Sequence, residues 1–422
     1  MACMHTSPIP FTTLRWRLFF TLALIYILVY FYRVSLAVVS ADVSRDLALT
    51  PEQLGMLSGV LFYVYAAAQI PLGPLIDRVG PRLVISGCGL LTTVGGLLFA
   101  QADGLASAMA GRILIGLGTA AVLMATFAIF SHWYSRQEFS RASGLMVAVG
   151  NLGNLAGTAP LAFAAGWLGW RNVFLIIAGL QGLVTFLIFL KVQDRPARPL
   201  EPQGTEQVQK IGILEAWGVL ARDSSFWLLA LLAFWWYGAY LAIQGLWGGP
   251  YLMQLLGMSR EGAGKLLMWT SVGFIIGSPL MDRLAQRLFR SYSRTLLAGQ
   301  FCLVALMTGF LGWLPLLPQW GLMLYFLAIG LTVSSGVMIY PITRGNVPVA
   351  MVGTGLTSLN FFVLLGAAMT QQAMGILIER CGGYGPAAFQ AAFALPLIGL
   401  AASSLLFLKA RNSPAGDAAA SR

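Results

Sequence analysis

Charge is scarce in this chain. Of 422 residues, 10% are Asp, Glu, Lys or Arg, while 58% are hydrophobic. A soluble chain carries about 25% charged residues, so most of this chain's outside has no means of being solvated. A soluble enzyme or soluble binding module is excluded. Histidine is nearly absent: His5 and His132 are the only two, which excludes a histidine metal cluster. The four cysteines, Cys3, Cys88, Cys302 and Cys381, include no Cys-x-x-Cys pair. Cys88 and Cys302 fall in apolar runs and read as small packing residues. Gly262-Ala-Gly-Lys265 continues with Leu266, where a phosphate loop needs Ser or Thr. No ATP-binding motif follows from it. Finally, the 15 acids fall in loops, tails or helix ends, and none lies near the middle of an apolar run.

What the chain has in quantity is apolar runs of roughly 20 residues, the length that crosses about 30 Å of hydrocarbon as a helix. Strands of a barrel would alternate over about 10 residues. The expected fold is therefore an all-α membrane protein. Twelve transmembrane helices are predicted, at about 17–39, 53–75, 83–100, 106–130, 142–165, 172–191, 226–248, 262–281, 295–314, 320–342, 351–377 and 386–408. The first run is too long for a signal peptide. Residues 192–224 carry Pro196, Pro199, Pro202 and several charges, and form the one long polar stretch. They read as a cytoplasmic linker between an N-terminal bundle, 1–191, and a C-terminal bundle, 225–422 with a short tail.

The net charge of +11 reflects topology rather than nucleic-acid binding. Most basic residues fall in short loops on the side of the N-terminus. The opposite loops hold only Arg45, Arg171, Arg260 and Arg380. That asymmetry places both termini and the linker in the cytoplasm, in a multi-pass protein of the cell inner membrane.

An internal repeat divides the chain in two. Pro74-Leu-x-Asp77-Arg78-x-x-x-Arg82-Leu recurs as Pro279-Leu-x-Asp282-Arg283-x-x-x-Arg287-Leu. Each copy ends one apolar run in a short charged turn before the next. Tyr26 and Arg33 in helix one align with Tyr237 and Gln244 in helix seven, and Gly144-Leu145 with Gly355-Leu356. Two repeated bundles with polar residues near their interface follow the plan of an alternating-access carrier.

With these residues in view, the sequence resembles the major facilitator superfamily. Gly73-Pro-Leu-Ile-Asp77-Arg78-Val-Gly80-Pro-Arg82 is similar to the family signature between helices two and three. Arg112-Ile-Leu-Ile-Gly116-Leu-Gly118 is similar to its helix-four signature. The resemblance implies a secondary transporter whose halves rock around a central cavity lined by helices one, four, seven and ten. It also implies a cytoplasmic charge latch made by Asp77, Arg78 and Arg82, with Asp282 and Arg283 in the second copy.

Two arginines, Arg33 and Arg112, lie within apolar runs, and Lys265 lies near the start of one. Lys265 can snorkel to the surface. An arginine at a helix centre costs about 2.5–3.5 kcal/mol on insertion scales, and such residues normally face the bundle interior. Tyr26, Tyr30 and Arg33 share a face by their i, i+4, i+7 spacing, and together offer two hydroxyls and a guanidinium to one solute. Tyr237, Tyr240 and Gln244 share a face of helix seven by the same argument. Trp247 reads as an interfacial aromatic. Arg112, nearer a helix end, is structural or, as the resemblance implies, part of coupling. Arg33 is similar to an arginine of the organophosphate:phosphate antiporters. Those carry a second arginine where this chain has Gln244, so a singly charged organic carboxylate fits better.

The expected function is secondary active transport of a small organic anion, coupled to protons or to exchange. The expected partners are that solute and membrane lipid, with no cofactor, no metal, no nucleic acid and a monomeric chain. A proton-driven exporter of amphipathic compounds would place an acid in the cavity helices. A membrane-embedded enzyme would need a catalytic cluster, and a sensor would need an output domain. The sequence offers none of the three.

Overall fold

The computed structural model describes residues 11–196, 213–348 and 351–411. They fold into helices with no strand among them. The first bundle comprises α1 (Phe11–Val34, resuming as Leu36–Asp46), α2 (Pro51–Val79), α3 (Pro81–Ala100), α4 (Leu105–Ala120 and Val122–Trp133), α5 (Arg136–Ala156 and Ala159–Leu168) and α6 (Trp170–Lys191). The second comprises α7 (Ser224–Leu241, running on to Leu255), α8 (Arg260–Arg283), α9 (Tyr292–Met307), α10 (Gln319–Val333, running on to Asn346), α11 (Val352–Arg380) and α12 (Pro386–Arg411). Ten of these are long and apolar enough to cross a membrane, and α2 makes an eleventh when its bent parts are counted together. The 24-residue α8 completes twelve. The chain is a multi-pass membrane protein.

Three features depart from the sequence reading. The first helix does not stop near residue 39 but breaks at Ser35 and continues to Asp46. The stretch read wholly as linker contains a helix, Ile213–Arg222. Cys302 is exposed on the perimeter rather than packed, although Cys88 is partly buried.

Local sequence fixes the helix ends. Thr50 begins α2 with a capping box: its hydroxyl accepts from Gln53 N–H, and the Gln53 side chain accepts from Thr50 N–H. Pro51 occupies the first turn, where its missing N–H costs nothing. Pro71 and Pro74 lie further along α2, and the helix bends by 58° at Pro71, as a missing donor and a ring clash require. α2 and α3 are joined by Gly80 alone, at φ +96°. Asp194 fills the space where a Cβ would stand and accepts Arg82 N–H at 2.7 Å, so the start of the linker caps α3. Gly80→Ala therefore meets both a left-handed backbone and an occupied site. We expect it to cost about 1–2 kcal/mol, read as a lower melting temperature of the purified protein.

The halves are joined at the end of the bundle away from the chain termini. There α1 packs on α7 and α5 on α8, while α2 runs along α11 from Glu52 beside Glu379 to Gln69 beside Asn360. Gly249 of α7 lies directly against the carbonyl of Ala37 on α1, an approach that only a residue without a Cβ allows. Asp42 on α1 bonds Arg260 at the start of α8, 2.5 Å apart. Glu379, at the end of α11, accepts Glu52 N–H at the start of α2, 2.8 Å away, placing a carboxylate at a positive helix terminus.

Candidate functional site

Arg33 sits one turn inside this seal. The break at Ser35 follows two residues later, so the guanidinium leaves the last turn of a regular helix. Tyr26 and Tyr30 stand on the same face, with the Tyr26 hydroxyl donating to Tyr30 Oη at 3.3 Å and the rings 5.0 Å apart. The expected grouping on α1 is thus present.

The second half supplies Tyr237. Arg33 Nη1 donates to its hydroxyl at 3.4 Å, a hydrogen bond that crosses between the bundles. The guanidinium carbon also lies 4.8 Å from the ring centroid of Tyr30 and 4.8 Å from that of Tyr65 on α2. Each such contact with a desolvated cation contributes about 2 kcal/mol or more. This partly offsets the burial of a side chain only 8% exposed. Among the described residues, no carboxylate pairs with Arg33, and its buried Nε–H has no acceptor. A buried donor without a partner costs about 1–3 kcal/mol, more when charged. The site holds a charge that no described carboxylate neutralises and a donor that no described group accepts.

The surroundings are hydroxyl-rich. Tyr240 accepts from Asn154 Nδ2 of α5 at 3.4 Å and stacks on Phe274 at 5.6 Å. On α10, the Tyr340 hydroxyl donates to Asn360 Oδ1 of α11 at 3.2 Å. Asn360 in turn donates to Gln69 of α2 at 3.3 Å. Tyr26, Tyr65 and Tyr240 are buried, whereas Tyr30, Tyr237 and Tyr340 are half-buried.

Gln244 does not join it. Its Nε2 donates to Ser271 Oγ of α8 at 2.9 Å, and its side chain is fully buried. The cause is a wide π-type turn at Ala242–Trp247, which shifts every residue after Leu241 off the face that regular spacing predicts. Gln371 of α11 donates to Leu241 O at 2.8 Å, taking up a carbonyl at the mouth of that turn. The same shift corrects the reading of Trp247, which is buried and donates to Gln371 O at 2.8 Å.

Arg112 has a different setting. It is fully buried and donates to two backbone carbonyls, Leu57 O at 3.2 Å and Tyr32 O at 3.0 Å. It ties α4 to α2 and α1 and has no accessible edge. Of the hinge residues, Asp77, Arg78 and Arg283 are exposed, and Arg82 and Asp282 are partly buried. Asp282 accepts from Gln286 at 2.8 Å. Among the described residues, none of the five forms an ion pair.

Tyr65 and Tyr340 escaped the sequence reading because neither lies on a repeat-related face. The one signal was Tyr65 and Gln69, four residues apart in an apolar run. The Asp42–Arg260 pair also went unseen, because α1 was expected to have ended before Asp42.

A family model described as Major Facilitator Superfamily matches residues 22–371. A probable sulfoacetate transporter of Cupriavidus necator is 25% identical over 284 residues, 63% of this chain and 64% of that protein. A probable L-galactonate transporter of Escherichia coli is 25% identical over 65% of this chain and 64% of its own length. A D-galactonate transporter of Escherichia coli is 30% identical over 43% of this chain and 42% of its own. The chain thus spans less than two thirds of the length of these relatives. Among solved structures, an inward-facing, unoccupied bacterial homologue of the human lysosomal transporter Spinster superposes with a TM-score of 0.75 at 20% identity. The match covers 95% of this chain and 99% of that one. Twelve helices in two repeated bundles, the paired hinge motifs and the family match lead to one conclusion: the chain belongs to the major facilitator superfamily.

Proposed function

We propose that this chain is a secondary active carrier of a small organic anion, working by alternating access of its two bundles and coupled to protons or to exchange. The observation that carries the reading is Arg33: a guanidinium at the interface of the halves, bonded to Tyr237 of the opposite bundle, with an unpartnered Nε–H and no carboxylate. A carboxylate oxygen supplies the missing acceptor, and a fork of two oxygens suits arginine better than any other cation. Tyr30, Tyr237 and Tyr340 would line the solute, with Tyr26, Tyr65 and Tyr240 behind them. The relatives named for sulfoacetate and galactonate support an anionic solute. With one arginine at the meeting of the bundles, a single anionic group is the part recognised.

In this reading the hinge residues Asp77, Arg78, Arg82, Asp282 and Arg283 latch the terminus end when the opposite end opens. Their lack of ion pairs while the far end is sealed supports that assignment. The bias of Lys and Arg supports an inner-membrane carrier with both termini in the cytoplasm.

The test is a thermal-shift titration of the purified protein with gluconate, sulfoacetate, phosphate and glucose, followed by counterflow in proteoliposomes. Stabilisation follows the ratio of ligand to Kd, so a carboxylate should raise the melting temperature and glucose should not. Stabilisation by neutral or cationic solutes alone rejects the reading. Tyr237→Phe removes one neutral hydroxyl from the guanidinium. It should weaken apparent affinity for the stabilising anion by about threefold to tenfold, the worth of roughly 1 kcal/mol.

A further inference from the structure

A second cationic site lies on the outer wall of the first bundle, away from Arg33. A cleft of about 270 Å³ opens where α1 and α5 begin, lined by Arg15, Trp16, Tyr134, Glu138, Arg141 and Leu145 among others. Arg15 is answered within the chain: its Nη1 meets Glu138 Oε1 at 3.0 Å, and its guanidinium carbon lies 5.2 Å from the Tyr134 ring centroid. Glu138 is committed elsewhere too, because its Oε2 accepts Ser135 N–H at 2.9 Å as part of the α5 capping box. Arg141 is exposed and, among the described residues, has no ion pair. The described lining of the cleft therefore carries one positive charge in excess.

Directly below the cleft the wall is apolar and faces outward. Trp16, Phe20 and Leu24 recur every four residues along α1 and are 54%, 59% and 48% exposed. Leu145 and Leu152 of α5 continue the strip. The stretches long and apolar enough to cross a membrane begin at Thr13 in α1 and Arg141 in α5, which puts both arginines at the same end of these stretches and the strip along their length. Tryptophan at such a boundary matches the headgroup level.

We propose that this cleft holds one anionic phospholipid, its phosphate between Arg141 and Arg15 and its acyl chains along the strip of Trp16, Phe20 and Leu145. Cation, depth and apolar track occur together, and a basic pocket between transmembrane helices is the setting in which anionic headgroups bind. A zwitterionic lipid brings its own ammonium to the same spot and gains no net attraction. Because α1 also carries Arg33, a bound lipid would brace the helix that bears the central site.

The experiment uses the full chain purified in detergent, with native mass spectrometry to count bound lipid and thermal shift to read its effect. Phosphatidylglycerol should be retained and raise the melting temperature, and phosphatidylcholine should do neither. Arg141→Gln should weaken phosphatidylglycerol binding about fivefold, the worth of one basic side chain at a membrane surface, and Arg141→Lys should keep most of it. Trp16→Ala should weaken it through the acyl track. Arg33→Gln should leave it unchanged, which separates this site from the central one. Equal retention of the two lipids, an Arg141→Gln protein that binds as wild type, or equal stabilisation by soluble glycerol phosphate would each overturn the proposal.

Discussion

Arg33→Gln should abolish the response to the transported anion while leaving a folded protein. Glutamine keeps a hydrogen-bond donor at the site but removes the charge and the fork. A hydrogen bond to a charged partner contributes about 1.5–3 kcal/mol, so losing it should weaken binding roughly tenfold to 150-fold. Counterflow should fall to background. Arg33→Lys is the sharper control, since it keeps the charge but replaces a planar fork with a point donor. It should recover only a small part of the activity. The variant protein itself should still fold, with a melting temperature close to that of wild type. Wild-type Arg33 is buried with an unpartnered Nε–H, so replacing it relieves desolvation, which opposes the loss of two ring contacts and of the bond to Tyr237. An Arg33→Gln protein that still binds and exchanges the same anion would remove the basis of the functional reading. The family and fold would be untouched.

Asp42→Asn should shift the protein towards conformations open at the end away from the termini. The Asp42–Arg260 contact is 2.5 Å long, with side chains 10% and 24% exposed. Such burial lies between surface pairs, worth about 0–1 kcal/mol, and buried ones, where removing a partner costs about 3–5 kcal/mol. An intermediate 1–2 kcal/mol corresponds to roughly a fivefold to thirtyfold change in the conformational ratio. Arg45 also reaches Asp42, at 3.3 Å, but is 73% exposed and belongs to the same helix, so it cannot hold the two bundles together. A cysteine at Ser40, which lines a 260 Å³ cleft beside Arg45, Gln254 and Tyr384, provides the readout once the four natural cysteines are replaced. Maleimide labelling should speed up in Asp42→Asn and equally in Arg260→Gln. The double variant should add nothing further, as expected when one interaction has already been lost. Unchanged labelling in both single variants would show that the pair does not hold this end shut.

The contrast between what the sequence shows and what it hides follows helix regularity. Span positions follow from hydropathy, because the length of an apolar run is set by the membrane. Tyr26, Tyr30 and Arg33 are legible as one face because the helix is regular up to Ser35. Tyr237 and Tyr240 precede the wide turn in α7 and keep their expected direction. Gln244 and Trp247 lie inside it and do not. Nothing in Ala242-Ile-Gln244 announces that turn, at whose start Gln371 of α11 bonds the Leu241 carbonyl. Tyr65 and Tyr340 were hidden for a related reason. Which face of α2 meets Arg33 depends on how α1 and α2 pack within the first bundle, and the direction of α10 on how the bundles lean together; neither helix repeats the pattern of α1.

Among the described residues the two buried arginines, Arg33 and Arg112, belong to the first bundle, and Arg33 stands where the two bundles meet. In a rocking carrier the transmembrane electric field falls mainly across whichever end is sealed. Reorientation therefore moves the guanidinium relative to that field even if its atoms travel little. One elementary charge moved through the full drop is worth about 2.3 kcal/mol per 100 mV. In the proposed cycle the empty carrier would bear that charge between its bundles, whereas a monoanion on Arg33 would cancel it. Membrane voltage would then act on any return of the empty carrier and hardly on the loaded step, so a proton-independent cycle that returns empty would respond to voltage where strict exchange would not.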